Sequence, residues 1–537
     1  MIDKNRTTNM KLTKYTGLAL LAFGVFMACK KDNKTFPDPY AGGRKPLGVQ
    51  LSTDPPTPGD GAPGTVIRFK ATGLVPHKDS ISFNFNSEAG EIVSVDSAGI
   101  QVKVPATAST GVSSITIGDQ IFFGPVFSVK GKLEVDPNFK VVTGSNNRIS
   151  DVYQYPDGRL LFTGYFSDFD RKGVVKPLNR IVLTSRDGEV DRTLLSGKGA
   201  DGGLSSIAVL PNGKLVIAGG FSSYDIHQAE MRNITVLNNN GSLDTATVNT
   251  FTKQDTLPAF NGGTDGGIDK VFVHNNMITA VGGFNYYLQY VYDKSDYLME
   301  RDSLITDSTM VRQLIRFYPD GSLDSSFNYD LARHRSFDGA NGPIFDAFMQ
   351  DDGKLIIVGR FTRYNGQDAP FIARLNTDGS LDAGFGGLGA DNGIGSIRYN
   401  AVTQKYILAG NFRKFNGQDY NGLVLLNKDG TVDPTFQPLP MGNNDSYFHA
   451  QQLNNGLIVV NGYFRNYGPV HRTGLMILNP DGTLATGYNN VGDFEGSLSK
   501  VFETKNSSGQ TQALLLGSFY RFNEKDAGNI IRLLLKE

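Results

Sequence analysis

Short segments between residues 47 and 130 alternate apolar and polar residues. TVIRFKATGL, ISFNFNS, IQVKVPA and SSITIGD each place an apolar residue at nearly every second position, and turns rich in Gly, Asp and Ser separate them. A period of two residues is typical of β-strands with one buried face. Several such strands at short spacing predict a small all-β sandwich.

Beyond residue 130 a longer pattern repeats. One unit reads DDGKLIIVGRFTRYNGQDAPFIARLNTDGSLDAGF, from Asp351 to Phe385, and the segment PIFDAFMQ precedes it. Two Asp-Gly turns punctuate its apolar runs, because Gly accepts a positive φ and the Asp side chain caps its own backbone. Each unit is therefore predicted to form four antiparallel strands.

The motif Gly-x-Phe-x-x-(Phe/Tyr) marks seven such units at intervals of 51 to 77 residues. Four-stranded units repeated about every 50 residues indicate a β-propeller. The last unit ends at GNIIRLLLKE without the DGxLDxxF segment, whereas GKLEVDPNF at residues 131–139 matches that segment and has no unit of its own. We therefore expect residues 131–139 to supply the outer strand of the seventh blade, which leaves no unpaired strand edge at the seam. The seven motifs begin at Gly164, Gly219, Gly282, Gly359, Gly410, Gly462 and Gly517.

Two known families resemble these segments. VKVPATASTGVSSITI, with PGTVIRFKATGL before it and GPVFSV after it, resembles the IPT/TIG immunoglobulin-like module. The repeat resembles the delta-60 repeats of bacterial surface propellers, with the pattern DGK…GxF…RLNxDGSLDxxF, although Ala485 replaces the second Asp in the sixth unit. The expected fold is all-β: an IPT/TIG-like sandwich at residues 47–130, then a seven-bladed propeller at residues 131–537 closed by an N-terminal strand.

The first residues carry a targeting pattern. Lys11 and Lys14 closely precede the apolar run GLALLAFGVFMA, and small Ala28 stands directly before Cys29, the one cysteine of the sequence. This order predicts a secretory signal peptide over residues 1–28 rather than a membrane span. VFMAC resembles the lipobox of bacterial lipoproteins, although Phe stands where that family prefers Leu. The resemblance implies cleavage before Cys29 and lipidation of its thiol.

Residues 29–46 are polar and contain Pro and Gly, which predicts a flexible tether. The tether begins CKKDNK, and this Lys/Asp-rich start resembles the surface-export signals of Bacteroidetes lipoproteins. By resemblance, the lack of Asp directly after Cys29 argues against retention in the inner membrane. The expected location is the outer membrane, at the cell surface, with the membrane as partner through the lipid on Cys29.

Composition narrows the function only slightly. The 537 residues include 63 glycines and no Trp, and the formal net charge is -1 without a basic stripe, so we expect no nucleic-acid partner. The six scattered histidines form no HExxH, and no GxSxG or Walker loop is present in context. We therefore predict no catalytic residue, cofactor or metal ligand. Asn376, Asp378 and Asp382 share the alternate oxygen spacing of calcium loops, but the distal Glu is missing and we favour turn capping.

A tyrosine-rich insertion interrupts the third unit. Exposed tyrosines stack on sugar rings or anchor protein partners, because they offer apolar area and a hydroxyl. The alternative is an extended hairpin whose tyrosines cover a blade edge or contact the sandwich. The candidate ligand-binding residues are Tyr286, Tyr287, Tyr290, Tyr292 and Tyr297.

The sequence favours a non-catalytic surface lipoprotein that binds a glycan or a partner of an outer-membrane uptake complex. This expectation rests on fold and family resemblance, since fold alone does not dictate function. Two alternatives stay open. One is a polysaccharide lyase or hydrolase, which inward carboxylates in the central channel would favour. The other is a structural spacer or protein-interaction scaffold, which a channel plugged with apolar side chains would favour.

Overall fold

The computed structural model describes residues 46–174, 176–303, 305–385 and 389–536. The predicted signal peptide, Cys29 and nearly all of the predicted tether lie outside the described residues. The chain divides into two units, residues 1–49 and 50–537, and the second is described below. Its described residues contain strands and two short 3₁₀ helices, Val75–His77 and Ala383–Phe385, but no α-helix. No helix there is long and apolar enough to cross a membrane.

Eight strands build the first domain of this unit. They are hydrogen-bonded in the order β1-β3-β6-β5-β4-β7-β8-β2. The long strand β5 pairs with β4 through its first residues and with β6 through its last residues. The ring centroid of Phe69 lies 4.6 to 6.0 Å from those of Phe83, Phe85 and Phe127, so an aromatic core fills the space between them. The strands are β1 (Gln50–Leu51), β2 (Asp60–Gly61), β3 (Val66–Thr72), β4 (Ile81–Phe85), β5 (Glu88–Asp96), β6 (Gly99–Lys103), β7 (Gly111–Ile117) and β8 (Gln120–Val129).

The rest of the unit contains shorter strands joined by tight turns. They are β9 (Leu133–Val135), β10 (Ile149–Gln154), β11 (Leu160–Gly164), β12 (Ile181–Thr184), β13 (Val190–Asp191), β14 (Gly203–Val209), β15 (Leu215–Gly220), β16 (Ile234–Leu237), β17 (Thr245–Asn249), β18 (Gln254–Pro258), β19 (Gly263–Thr264), β20 (Ile268–His274), β21 (Met277–Gly282), β22 (Tyr286–Val291), β23 (Ile305–Met310), β24 (Leu314–Phe317), β25 (Tyr329–Asp330), β26 (Arg335–Ser336), β27 (Ile344–Met349), β28 (Leu355–Gly359), β29 (Arg363–Tyr364), β30 (Gln367–Asp368), β31 (Ile372–Leu375), β32 (Ile394–Asn400), β33 (Lys405–Gly410), β34 (Lys414–Phe415), β35 (Gln418–Asp419), β36 (Leu423–Asn427), β37 (Ser446–Gln452), β38 (Ile458–Tyr463), β39 (Asn466–Tyr467), β40 (Val470–His471), β41 (Leu475–Leu478), β42 (Phe494–Lys505), β43 (Thr511–Phe522), β44 (Lys525–Asp526) and β45 (Ile530–Leu535).

Among the described residues, most of these strands form seven antiparallel sheets, which are called sheets 1 to 7 below in chain order. The first strand of each sheet contacts the first strand of the next, and β10 also contacts β42. Buried apolar side chains fill the spaces between neighbouring sheets. The sheets are sheet 1 (β10–β13), sheet 2 (β14–β16), sheet 3 (β20, β21, β24), sheet 4 (β27, β28, β31), sheet 5 (β32, β33, β36), sheet 6 (β37, β38, β41) and sheet 7 (β42, β43, β45, β9).

The Gly-x-Phe-x-x-(Phe/Tyr) motif serves packing. A Cβ atom on any of the seven motif glycines would lie 2.0 to 2.5 Å from a carbonyl oxygen near the start of a first strand, so only glycine allows this close approach. The aromatic residues of the motif are buried. Where the last position is Tyr, the hydroxyl donates to the carbonyl of a turn glycine, as from Tyr364 to Gly379 at 2.9 Å and from Tyr287 to Gly321 at 3.1 Å.

The DGxLDxxF segment acts as a cap, as the turn-capping interpretation predicted. Asp378 accepts hydrogen bonds from the backbone nitrogen and hydroxyl of Ser380 at 2.9 and 2.7 Å. Asp382 accepts from Gly384 at 2.8 Å, Lys354 at 2.8 Å and Arg374 at 2.7 Å. The predicted fourth strand is here only an isolated bridge between Leu375 and Leu381, because the segment turns into a 3₁₀ helix tied to Asp382.

The N-terminal copy of this segment pairs with the last strand. β9 runs antiparallel to β45, with Leu133 opposite Leu535. Asp136 accepts from Arg532 Nε at 2.7 Å, and the Arg532 guanidinium lies over the Phe139 ring at 4.7 Å. Arg374 makes the same two contacts within one unit, with Asp382 at 2.7 Å and the Phe385 ring at 4.4 Å. The same Arg–Asp–Phe arrangement that forms within one repeat therefore also forms between the first strand of the repeats, β9, and the last, β45.

Candidate functional site

A β-bulge interrupts the first strand of all seven sheets at the same register position. A bulge leaves one residue unpaired and redirects its side chain. Strand pairing resumes at the residue that follows the unpaired one, called the second position below. The unpaired residues are Ser150, Ser205, Asp269, Phe345, Gly395, Phe448 and Ser499, and the residues after them are Asp151, Ser206, Lys270, Asp346, Ser396, His449 and Lys500.

Charged residues at the second position join neighbouring sheets. Asp346 pairs with Lys270 at 3.4 Å and with Arg398, and Asp151 pairs with Lys500. These carboxylates also accept backbone N–H groups from the next sheet: Asp151 from Ile207 at 3.0 Å and Asp346 from Ile397 at 3.1 Å. The bulge frees those N–H groups, and a buried donor needs a partner. The charged layer is thus an inter-sheet joint.

The protonation states of this layer follow from burial and pairing. Burial opposes ionisation of Asp346 and Asp151, but the cations and the backbone donors outweigh it and lower the pKa of both carboxyls. Burial, and then the nearby Arg398, hold the pKa of His449 well below its usual range, so the ring is neutral. Asp269 is exposed, yet partial desolvation by the surrounding protein raises the pKa of its carboxyl. Asp151 and Asp346 are therefore ionised and committed to cations.

Two exposed phenylalanines occupy the unpaired position in sheets 4 and 6. Phe345 is 49% exposed and Phe448 is 45% exposed, although large apolar side chains at a bulge gain nothing from facing water. Gly395 holds the equivalent position in sheet 5, between them. The Phe345 and Phe448 side chains thus lie on either side of the backbone of Gly395.

This arrangement lines a cleft of about 430 Å³, called the first cleft. Besides Phe345 and Phe448 it contains Arg360, Asn392 and Asn411. The Asn392 side-chain oxygen accepts the Gly393 N–H at 2.8 Å, so its amide hydrogens are left to donate. The first cleft therefore combines apolar ring faces with hydrogen-bond donors.

A second cleft of about 650 Å³ shares Phe448 with the first. Two exposed tyrosines, Tyr463 and Tyr520, stand in it. The Tyr520 hydroxyl donates to Glu495 at 2.5 Å, which fixes the ring at the cleft wall. The two clefts meet at Phe448 and are together called the aromatic groove. Four exposed aromatic side chains line it: Phe345, Phe448, Tyr463 and Tyr520.

The five tyrosines predicted from the sequence lie elsewhere and do not form one surface. Tyr287 is the buried motif tyrosine of its unit. Tyr290 and Tyr292 are also buried and stack at 5.9 Å, with Leu257 beside them. They fasten the β22–β23 hairpin to the β17–β18 hairpin. Tyr286 is partly exposed, and Tyr297 is 93% exposed, so these two keep an accessible ring face.

The sequence reasoning missed the aromatic groove. The candidate residues predicted from the sequence all lie in the insertion that interrupts the third unit. Aligning the units at the bulge gives ISD, LSS, IDK, IFD, IGS, YFH and LSK. The two phenylalanines then stand out among small or polar residues. That substitution is the signal that would have found the groove.

Two family models match parts of the chain. Residues 350–385 and 405–436 match a domain of unknown function described as a beta-propeller (DUF5122). Residues 26–125 match another domain of unknown function, DUF5008. No curated protein matches the chain. The described chain is therefore all-β, and two of its units are similar to a β-propeller family.

Solved structures of several proteins align with this chain at low similarity. The WD40 beta propeller domain of Doa1 has 13% identity and a TM-score of 0.39, covering 76% of this chain and 98% of that chain. An auxiliary nutrient binding protein from Bacteroides thetaiotaomicron has 12% identity and a TM-score of 0.28, covering 91% and 98%. One from Bacteroides ovatus has 10% identity and a TM-score of 0.25, covering 77% and 94%. Such low TM-scores support no argument about fold or function.

Proposed function

We propose that this protein is a non-catalytic carbohydrate-binding protein and that the aromatic groove holds the ligand. The observation that carries the proposal is the exposure of Phe345 and Phe448 on either side of Gly395. Sugar rings present flat apolar faces that stack on aromatic side chains, and their hydroxyls need donors and acceptors. Asn392 and Asn411 supply such polar groups beside the rings.

The proposed setting follows the sequence expectations. We propose that sheets 1 to 7 are the blades of a seven-bladed propeller, which the contact between β10 and β42 and the β9–β45 pairing support. The first domain is proposed to be the immunoglobulin-like sandwich. Lipidation of Cys29 would tether the groove at the outer membrane, where a polysaccharide or an outer-membrane protein partner would reach it.

Affinity electrophoresis tests the proposal directly. The purified chain is run in native gels that contain plant, host or microbial polysaccharides. We expect at least one polymer to retard the wild-type protein and not the Phe345→Ala/Phe448→Ala variant, because that variant loses both stacking faces. Tyr286→Ala/Tyr297→Ala removes two exposed rings elsewhere and should be retarded like wild type.

Two outcomes contradict the proposal. Retardation lost only in the Tyr286→Ala/Tyr297→Ala variant places the ligand on the hairpin instead of the groove. Unchanged mobility of the wild-type protein in every polymer argues against carbohydrate as the ligand.

A second candidate function is cleavage of polysaccharide, and one observation favours it. Asp269 is exposed at the unpaired position of its bulge, but neighbouring protein desolvates its carboxyl on one side and raises its pKa, as expected of a general acid. Glycosidases pair such an acid with a second, available carboxylate, whereas Asp151 and Asp346 are held by cations. A reducing-end assay on polymers that bind distinguishes the two: new ends that Asp269→Asn abolishes establish cleavage.

A further inference from the structure

Arg360 differs from its counterparts in the other units. It occupies the variable position of Gly-x-Phe, next to a motif glycine that packs on a first strand. Across the seven units this position holds six uncharged residues and one arginine. In chain order the residues are Tyr165, Gly220, Gly283, Arg360, Asn411, Tyr463 and Ser518.

The Arg360 side chain has no partner among the described residues. Its backbone is fixed by a hydrogen bond from its N–H to Pro343 at 2.8 Å. Its stem lies over Gly393, where a Cβ atom would be 3.8 and 3.9 Å from Arg360 Cβ and Cγ. The charged end makes no hydrogen bond or ion pair within the part of the chain that is described. By contrast, Arg316, Arg374 and Arg532 all pair with carboxylates.

The first cleft contains no acidic residue among those that line it. The acidic residues of the neighbouring second cleft are already engaged. Glu495 accepts from Tyr520 at 2.5 Å and lies 3.7 Å from Arg521, and Asp493 lies 3.7 Å from His471. The positive charge of Arg360 is therefore the uncompensated charge of the first cleft, and a complementary ligand would bring an anion to it.

We propose that the first cleft binds an anionic sugar unit of the ligand, with its ring between Phe345 and Phe448 and its anionic group on Arg360. This rests on the proposed function and narrows the ligand to acidic glycans. A guanidinium offers paired N–H donors that match two oxygens of a carboxylate or a sulfate ester. Asn392 and Asn411 would then form hydrogen bonds with the uncharged hydroxyls of the sugar.

Paired polymers test the inference and separate the two sources of charge. Binding of the purified full-length chain to polygalacturonate is compared with binding to its methyl ester, which removes only the carboxylate charge. Dextran sulfate is compared with dextran for sulfate. Arg360→Gln is measured beside Arg363→Gln, which removes the same charge from an exposed pair with Asp368 outside the cleft.

We expect wild type to prefer one charged polymer over its neutral partner. Arg360→Gln should lower that affinity about 10- to 100-fold, the usual effect of losing hydrogen bonds to a charged group, whereas Arg363→Gln should leave it unchanged. Equal loss in both variants indicates general charge attraction and overturns the inference.

Binding of charged and neutral partners with equal affinity, unaffected by Arg360→Gln, overturns the inference but leaves the proposed function standing. Failure of the wild-type chain to bind any of these four polymers overturns the inference. Failure to bind any polymer of the electrophoresis panel as well overturns the proposed function too.

Discussion

At the scale of single residues, the repeated carboxylates hold the units together. Asp382 is nearly enclosed, and burial alone would disfavour its charge. Bonds from Lys354, Gly384 and Arg374 outweigh this cost and lower the pKa of Asp382 to about 2. In the sixth unit Ala485 replaces this Asp, and Asn489 instead bonds both the N–H and the carbonyl of Ile477, at 2.9 and 2.8 Å. The turn at this position thus needs a polar side chain to cap it, and in the sixth unit Asn489, four residues after Ala485, supplies that cap.

Asp382→Asn tests this role through pH. The lowered pKa means that ionised Asp382 stabilises the fold fully above about pH 4, and that this contribution is lost as the pH falls toward 2. We expect the variant to be about 2 kcal/mol less stable than wild type at pH 7, with the difference shrinking below about pH 4. Chemical denaturation at each pH measures it. Asp368→Asn, at an exposed pair, should change little; a difference for Asp382→Asn that is independent of pH would contradict the ionic role.

At the scale of elements, the β17–β18 and β22–β23 hairpins, which lie outside sheets 1 to 7, share a small core of their own. Tyr290 donates its hydroxyl to Ala229 at 2.9 Å, and Arg232 lies over its ring at 5.4 Å. Thr252 at the β17–β18 turn donates to Asp302 at 2.8 Å. An isolated hairpin is barely stable in water, so the inserted hairpins need these contacts to stay folded.

Tyr290→Ala should loosen both hairpins. Removing a buried aromatic side chain costs about 3–5 kcal/mol, so hydrogen–deuterium exchange of β17, β18, β22 and β23 should accelerate while β27 and β28 stay protected. Tyr286→Ala removes a partly exposed ring from the same strand and should alter exchange little. Equal acceleration in the two variants would argue against the buried core.

The all-β class and the unit boundaries followed from the period-two runs and the DG turns. For one unit, PIFDAFMQ, GKLIIVG and FIARLN correspond to β27, β28 and β31. The aromatic groove did not follow, because the bulge that exposes Phe345 and Phe448 is not marked within a single strand. It shows only when the seven units are aligned at the bulge. Tyr290 and Tyr292 share a face as their spacing requires, but the partner of that face, the β17–β18 hairpin, comes from a distant segment that periodicity does not reveal.

At the scale of the whole molecule, the pairing of β9 with β45 links the start of the repeat region to its last strand. The Arg532 and Asp136 side chains are almost fully buried there, whereas the second partner of Arg532, Asp187, is largely exposed at 2.8 Å. A buried cation that loses its partner is expensive, while an exposed pair contributes little.

Asp136→Ala should therefore cost about 3 kcal/mol of stability, and Asp187→Ala about 1 kcal/mol or less. Denaturant midpoints of the full chain compare them. A midpoint for Asp136→Ala equal to that of Asp187→Ala would mean that the N-terminal strand does not hold the last sheet.

A crystal structure of the protein with a bound fragment of the polysaccharide that retards it most strongly would locate the ligand directly. We expect a sugar ring between Phe345 and Phe448, above Gly395. A ligand seated on the Tyr286–Tyr297 hairpin, or anywhere away from the aromatic groove, would contradict it.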